Sequence, residues 1–328
     1  MRKEDLRIVF MGTPEFAVGT LKALLDNRYN VVAVVTQPDK PVGRHHDTLQ
    51  MPEVKRYALE HGIKEEDILQ PEKMKDEAFV ERLRSYQAHL QVVVAFRMLP
   101  EVVWAMPQFG TFNVHAALLP QYRGAAPINW AVINGETKTG VTTFFLDHDI
   151  DTGRIIMQKP FDILDDYNVE DVYNGLMELG AETALKTIEL ILEGDGHVES
   201  LPQEQMIAEG TALHNAPKIF KETCEINWNQ AARNIYNFVR GLSPYPGAWT
   251  TLEDEKGKKT VLKIYQTAKT GKPTQMAAGC ISADNGHLFV AADDELLELI
   301  EIQLTGKKRM MARDFLNGFR NITNCKLV

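Results

Sequence analysis

The chain has 328 residues, enough for two domains or one large domain, and its 44% hydrophobic and 25% charged residues are ordinary for a globular enzyme. It contains no run of about 18 apolar residues, and MRKEDLRIVFMGT lacks the apolar core of a signal peptide, so we expect a cytoplasmic protein without a membrane span. Cys224, Cys280 and Cys325 are far apart and form no metal-ligand spacing, so neither disulfides nor a metal site is expected.

The net charge of −9 is unevenly distributed along the chain. Residues 1–211 contain 20 Lys and Arg against 33 Asp and Glu, a net charge of −13, whereas residues 212–328 contain 16 against 12, a net charge of +4. Such an asymmetry can indicate contact with a polyanion through one part only, although many domains of this size reach +4 by chance.

Strand-like and helix-like segments alternate in the first part of the chain. Helices are predicted after the first strand and near 51–62 and 74–86. The predicted strands are LRIVFMGT (6–13), NVVAVVT (30–36), HLQVVVAF (89–96) and TFNVHAAL (111–118). This alternation predicts an N-terminal α/β domain with a Rossmann-like, doubly wound and mostly parallel sheet.

The pattern changes after residue 118. GVTTFFLD (140–147) and GRIIMQKPFDI (153–163) predict an antiparallel pair at the sheet edge, and residues 168–194 predict a long helix with Asn168 as its N-cap. Short strand-like runs punctuated by turn residues then predict a small, OB-like β-barrel. We therefore predict a catalytic domain at 1–194, a linker at 195–211 and the barrel at 212–328.

FNVHAALLPQYRGAAPI (112–128) carries Asn113 and His115 two residues apart on a predicted strand. Residues i and i+2 of a strand project to one face, and the carboxyl ends of strands in open α/β sheets border the ligand crevice. The alternative interpretation is a structural histidine whose hydrogen bonds are satisfied in the core, beside a polar turn.

DIDTG places Asp151 where the chain turns back between two strands. An amide, an imidazole and a carboxylate suit acyl transfer to an amine: the first two can stabilise an oxyanion, and the last two can move protons. No GxSxG motif is present, so direct transfer is favoured over a covalent enzyme intermediate. The spacing alone does not establish that Asp151 reaches His115.

Two basic segments could contact phosphates. QPDKPVGRHH contains Lys40, Arg44, His45 and His46 in a loop rich in Gly and Pro, and GKKRM (306–310) follows a predicted strand. For each segment, a solvated loop is the alternative to a phosphate contact.

The motifs together resemble those of the folate-dependent formyltransferases, and in particular the branch that acts on aminoacylated tRNA. The resemblance covers nearly the whole chain. It is carried in order by VFMGTPEFA, VVTQPDKPVGR, VVVAFRMLP, FNVHAALLPQYRGAAPI, TGVTTFFLDHDIDTG, RGLSPYPGAW and GKKRM followed by DFLNG.

The resemblance implies roles for individual residues. The catalytic trio of the family corresponds to Asn113, His115 and Asp151. It further implies contacts with the formyl-folate for Leu119, Pro120, Gln121 and Tyr122, a pteridine pocket lined by the backbone around Arg97, Met98 and Leu99, and contacts with tRNA for Arg44, Lys307, Lys308 and Arg309. Family members often follow that loop arginine with lysines, whereas this chain has His45, His46 and Asp47.

The implied reaction is formyl transfer from 10-formyltetrahydrofolate to the α-amino group of methionyl-initiator tRNA. We expect no metal and a monomeric protein. A formyltransferase acting on a sugar-nucleotide amine or a glycinamide ribonucleotide would use the same trio. A nicotinamide-dependent dehydrogenase would need a dinucleotide fingerprint, which is missing. A non-catalytic tRNA-binding protein would not need the trio.

Overall fold

The computed structural model describes residues 1–42, 48–208, 210–319 and 321–328. The chain forms two compact units that interleave along the sequence. The first unit comprises Met1–Gly124, Lys138–Asp162 and Tyr173–Asn215, and the second comprises Ala125–Thr137, Ile163–Val172 and Ala216–Val328. The limits predicted from the sequence, a catalytic domain at 1–194, a linker at 195–211 and a barrel at 212–328, stay a prediction.

The first unit is built on a seven-stranded sheet. The strands of this unit are β1 (Arg7–Gly12), β2 (Asn30–Val35), β3 (Lys40–Val42), β4 (Thr48–Gln50), β5 (Ile68–Leu69), β6 (Leu90–Val94), β7 (Thr111–His115), β8 (Arg123–Gly124), β9 (Lys138–Phe145) and β10 (Ile155–Asp162). The sheet order is β10-β9-β7-β6-β1-β2-β5, in which β5, β2, β1, β6 and β7 are parallel and β9 and β10 form an antiparallel edge. The predicted parallel sheet and its antiparallel edge pair are therefore confirmed.

Helices connect the strands. They are α1 (Glu15–Asp26), α2 (Glu53–Glu60), α3 (Glu77–Ser85), α4 (Glu101–Trp104), α5 (Pro127–Ile133), α6 (Val169–Glu193), α7 (Ala232–Leu242) and α8 (Ala312–Gly318), with single 3₁₀ turns at Lys3–Asp5, Glu65–Asp67, Gln203–Met206, Glu222–Cys224 and Ile322–Asn324. Successive residues Ile8, Val9 and Phe10 of β1 are all fully buried, as expected for a central strand with both faces covered. Within the described ranges, no helix combines the length and apolarity needed to cross a lipid bilayer.

Asn168 is the N-cap residue of α6, as predicted. Its side-chain oxygen accepts from the backbone N–H groups of Glu170 at 2.8 Å and Asp171 at 3.1 Å, and the Asp171 carboxylate accepts from the Asn168 N–H at 2.9 Å. These reciprocal bonds satisfy N–H groups that have no partner within the helix.

The second unit contains a curled antiparallel sheet. The remaining strands are β11 (Asn215–Ala216), β12 (Ala248–Glu253), β13 (Lys259–Pro273), β14 (Ile281–Asp284), β15 (His287–Ala291), β16 (Glu295–Leu304), β17 (Met310–Met311) and β18 (Lys326–Leu327). The sheet order is β14-β15-β16-β13-β12-β18, and an isolated bridge between Cys280 and Lys326 joins its two ends. The predicted α/β fold with a C-terminal barrel-like domain is confirmed.

Candidate active site

Asn113 and His115 lie at the carboxyl end of β7, in the middle of the sheet. Alternation along the strand buries Phe112 and Val114 on one face and directs Asn113 and His115 to the other. The His115 ring is 6% exposed, and its Nε2 lies 2.9 Å from the carbonyl oxygen of Tyr122. Because a carbonyl can only accept, Nε2 carries the hydrogen, and Nδ1 is the nitrogen left to act on other groups.

Asp151 lies on the same side of the sheet as this pair. One of its carboxylate oxygens is 3.9 Å from His115 Nδ1, a separation that fits an ion pair better than a hydrogen bond. That oxygen also accepts from the Gly124 N–H at 3.0 Å. The structure thus brings the three predicted catalytic residues together, although 36 positions separate His115 from Asp151 in the sequence.

The loop before Asp151 is held by its own polar groups. Asp147 Oδ1 accepts from the Asp149 N–H at 3.2 Å and from the Thr152 hydroxyl at 2.9 Å. Asp151 itself has φ of 56°, in the left-handed region that few residues other than glycine adopt. Its carboxylate therefore depends on contacts that stabilise an unfavourable backbone conformation.

The buried carboxamide oxygen of Asn113 has no hydrogen-bond partner among the described residues. Such an atom costs free energy in the folded protein. An unpaired acceptor beside an imidazole and a carboxylate suits a substrate that carries an N–H group, such as an amine.

The residues predicted to contact the folate after β7 differ in their exposure. Leu119 is 1% exposed and packs against Phe144 and Ile155, and Pro120 is also buried. Gln121 donates to the Ala212 carbonyl and accepts from the His214 N–H, both at 2.8 Å. These side chains are engaged within the protein, so their predicted contact with a folate stays a prediction.

Tyr122 is 4% exposed and stacks on the His214 ring, with 5.8 Å between ring centroids. Its backbone N–H donates to the His214 carbonyl at 2.7 Å, and its carbonyl accepts from His115. Tyr122 therefore connects His115 to the chain segment around residue 214.

The three residues after Phe96 were predicted to line a pocket through their backbone. The Arg97 guanidinium donates to the carbonyls of Pro71 and Glu72, and burial lowers the pKa of Arg97. Leu99 is 8% exposed and belongs to the apolar core, whereas Met98 is 70% exposed. Only Met98 therefore offers most of its side chain to solvent, and the pocket stays a prediction.

The predicted tRNA contacts fall in two places. Arg44 lies outside the described residues, so its role stays a prediction. Lys307 and Lys308 are exposed in the turn between β16 and β17. Arg309 donates to Glu301 and lies 4.2 Å from the centroid of the Tyr265 ring, and the bond to Glu301 raises the pKa of Arg309.

One residue of the site was missed. Gln203 is fully buried and donates to the carbonyls of Asp151 and Gly153, although it lies in the segment predicted to be a linker. A single glutamine among Pro, Gln and Gly residues gives no periodic signal, so no pattern in the sequence indicated it. Across the described chain, no group of three or more His, Cys, Asp or Glu residues is arranged to hold a metal ion.

Two family profiles match the chain. The one described as "Formyl transferase" matches residues 6–188, and the one described as "Formyl transferase, C-terminal domain" matches residues 218–320. The chain belongs to the formyltransferase family. This membership agrees with the site, where an amide, an imidazole and a carboxylate meet.

Curated relatives resemble this formyltransferase over its full length. Proteins named methionyl-tRNA formyltransferase are 58% identical over 98% of both chains in Parabacteroides distasonis and 57% identical over 100% of both chains in Phocaeicola vulgatus. A third, from Bacteroides fragilis, is 55% identical over 97% of both chains.

Solved structures share the fold at low identity. HypX from Aquifex aeolicus, in complex with tetrahydrofolic acid, is 17% identical with a TM-score of 0.60, and the match covers 95% of this chain and 47% of HypX. The sugar 3N-formyl transferase WlaRD is 18% identical with a TM-score of 0.61, and the match covers 92% and 99% of the two chains. At these identities the likeness concerns the fold alone.

Proposed function

We infer that this formyltransferase transfers a formyl group from 10-formyltetrahydrofolate to the α-amino group of methionyl-initiator tRNA, for translation initiation. The observation that carries this inference is the 58% identity, over 98% of both chains, to a protein named methionyl-tRNA formyltransferase. The protein is proposed to act as a monomer in the cytoplasm.

The reaction joins an amine nitrogen to the formyl carbon and breaks the bond from that carbon to a folate nitrogen. Negative charge gathers on the formyl oxygen as the amine attacks, and hydrogen-bond donors at that position lower the barrier. Asn113 and His115 are the proposed donors. Because His115 Nε2–H is committed to Tyr122, only a protonated Nδ1 can donate.

Asp151 has two parts in this mechanism. Its carboxylate lies 3.9 Å from His115 Nδ1, where it balances the charge of a protonated ring, and it accepts the proton that the amine loses. The imidazolium then supplies the proton that the leaving folate nitrogen requires. Protons are thus conserved, and no covalent enzyme intermediate is needed.

The tRNA is proposed to contact the basic residues of the second unit and the loop that carries Arg44. Lys307 and Lys308 are exposed at a turn and can approach phosphates, whereas Arg309 would have to release Glu301 first. Contacts with the tRNA phosphates release counterions from the nucleic acid. The apparent affinity for tRNA should therefore fall as the salt concentration rises, whereas the apparent affinity for the folate should change little.

A sugar-nucleotide amine is the competing substrate, because a sugar 3N-formyl transferase has this fold. That enzyme is 18% identical to the chain, whereas the relatives named for methionyl-tRNA are 46–58% identical. The difference in identity favours tRNA. A non-catalytic tRNA-binding protein is disfavoured because the trio converges at one site.

The test is incubation of the protein with 10-formyltetrahydrofolate and methionyl-initiator tRNA, followed by measurement of N-formylmethionine. We expect turnover with the tRNA and none with a sugar-nucleotide amine. His115→Ala should lower kcat by about 10²–10⁴-fold, the range for loss of general acid–base catalysis.

His197→Ala is the matched control, because His197 is exposed in the first unit and lies outside the site. It should keep full activity. Formylation of the sugar amine in preference to the tRNA would refute the substrate, and near-normal turnover of His115→Ala would refute the mechanism.

A further inference from the structure

Gln203 lies in the short helical turn Gln203–Met206 and is 0% exposed. Its Nε2 donates to the carbonyl oxygen of Asp151 at 2.8 Å and to that of Gly153 at 2.9 Å. Its Oε1 accepts from Arg123 Nε at 3.0 Å and from Arg123 Nη2 at 2.6 Å. A carboxamide has two N–H groups and two acceptor positions, so every hydrogen-bonding position of this side chain is occupied.

These bonds hold Asp151 from two sides. Gln203 fixes the backbone carbonyl of Asp151 directly. It also fixes Arg123, and the next residue in the chain, Gly124, donates its N–H to the Asp151 carboxylate at 3.0 Å. Backbone and carboxylate of Asp151 are therefore tied to the same glutamine, one directly and one through the β8 segment.

These hydrogen bonds matter because the backbone of Asp151 has a left-handed conformation. Its φ of 56° lies in the left-handed region, which aspartate tolerates better than most residues but which still costs free energy, so contacts from the surroundings help to hold it. Gln203 supplies bonds to both Asp151 and Gly153, which lie in the second half of the connection between β9 and β10 that presents the carboxylate to His115.

We propose that Gln203 is a positioning residue that sets the Asp151 carboxylate against His115 Nδ1, so that the segment after α6 forms part of the catalytic site. This proposal rests on the proposed function, because Asp151 must act in the reaction for its position to matter. Because Gln203 is 0% exposed, its proposed role is to act through Asp151.

Gln203→Met and Gln203→Glu test the proposal. Methionine keeps the size of the side chain but removes every polar bond. Glutamate can still accept from Arg123, but it turns an oxygen toward the carbonyls of Asp151 and Gly153, where a donor is needed. Both variants should lower kcat by about 10–100-fold, the loss that follows a misplacement of about 1 Å, with KM for tRNA and folate changed by less than about threefold.

Gln205→Met and Gln205→Glu are the matched controls, since Gln205 is exposed in the same helical turn. Both should keep wild-type kcat. Thermal unfolding of every variant sets an assay temperature at which all are folded. Should Gln203→Met unfold too readily, Gln203→Glu, which keeps the bond to Arg123, carries the test.

A double-mutant cycle separates positioning from a general structural role. In an Asp151→Asn background, Gln203→Glu should reduce the residual single-turnover rate by less than about twofold, because the group it positions has already been removed. An equal loss in both backgrounds, or wild-type kcat for Gln203→Glu, overturns the proposal. Absence of formyl transfer by the unmodified protein would instead refute the proposed function.

Discussion

Phe112 and Asn113 are adjacent on β7 but have different roles. Phe112 is fully buried and contributes to the core, whereas Asn113 carries a buried carboxamide oxygen that no described residue pairs. Leaving a buried acceptor unpaired costs about 1–3 kcal/mol. An atom that costs stability at the proposed reaction centre is expected of a residue retained for chemistry.

Asn113→Ala should therefore abolish most turnover while changing the free energy of unfolding by less than about 1 kcal/mol, because loss of packing is offset by removal of the unpaired oxygen. Phe112→Ala is the comparison and should cost about 3–5 kcal/mol. Denaturant unfolding and the formylation assay measure the two effects. A loss of several kcal/mol for Asn113→Ala would mean that the amide is a structural group.

The turn between β9 and β10 is the element that carries Asp151, and Gly153 permits it. A Cβ built on Gly153 would lie 1.6 Å from the carbonyl oxygen of Phe145. No side chain can be accommodated there unless the two strands separate. This close approach of Gly153 to the end of β9 constrains the path of the connection that carries Asp151.

Gly153→Ala should lower the free energy of unfolding by about 2–3 kcal/mol or shift the turn, and in either case reduce kcat. Gly318→Ala, at the end of α8, is the control, since an added Cβ there meets no atom within 4 Å. Thermal unfolding compares the two variants. Equal stability of both would show that the edge strands can separate without cost.

Sequence patterns predicted elements better than they predicted contacts. The apolar runs of β1, β2, β6 and β7 and the cap at Asn168 were readable because burial and capping impose local patterns. The predicted strand 111–118 was too long, because the chain turns directly after His115. The convergence of Asp151 on His115 and the burial of Gln203 depend on tertiary packing, which leaves no local pattern.

At the scale of the whole molecule, stability should depend on the phenols of Tyr86, which is buried, and of Tyr173, which is half-buried. Burial, together with the bond to Asp67, raises the pKa of Tyr86 to about 12, and burial raises that of Tyr173 to about 12, from an ordinary value of 10.0. Between pH 10 and pH 12 the two phenols lose their protons in the unfolded chain but keep them in the folded protein. The stabilisation is complete below pH 10 and is lost as the pH rises toward 12.

The melting temperature should accordingly fall between about pH 10 and 12, and the fall should be smaller in a Tyr86→Phe, Tyr173→Phe double variant. Tyr245→Phe is the control, because Tyr245 is 82% exposed. Calorimetry across this pH range makes the comparison. If the melting temperature depended on pH identically in the unmodified protein, the double variant and Tyr245→Phe, the assignment of the effect to Tyr86 and Tyr173 would be contradicted.

The interleaving of the two units limits how such a chain can be recombined. Asn129, on α5, donates to the Gly241 carbonyl of α7 at 2.9 Å, and Arg240 donates to the Tyr167 carbonyl at 2.8 Å. Both bonds lie within the second unit and join its earlier segments, 125–137 and 163–172, to its C-terminal segment, 216–328. A chimaera made by joining two related sequences after α6 would combine residues 216–328 of one parent with 125–137 and 163–172 of the other. We therefore expect that only chimaeras that take all three segments from one parent assemble as well as either parent.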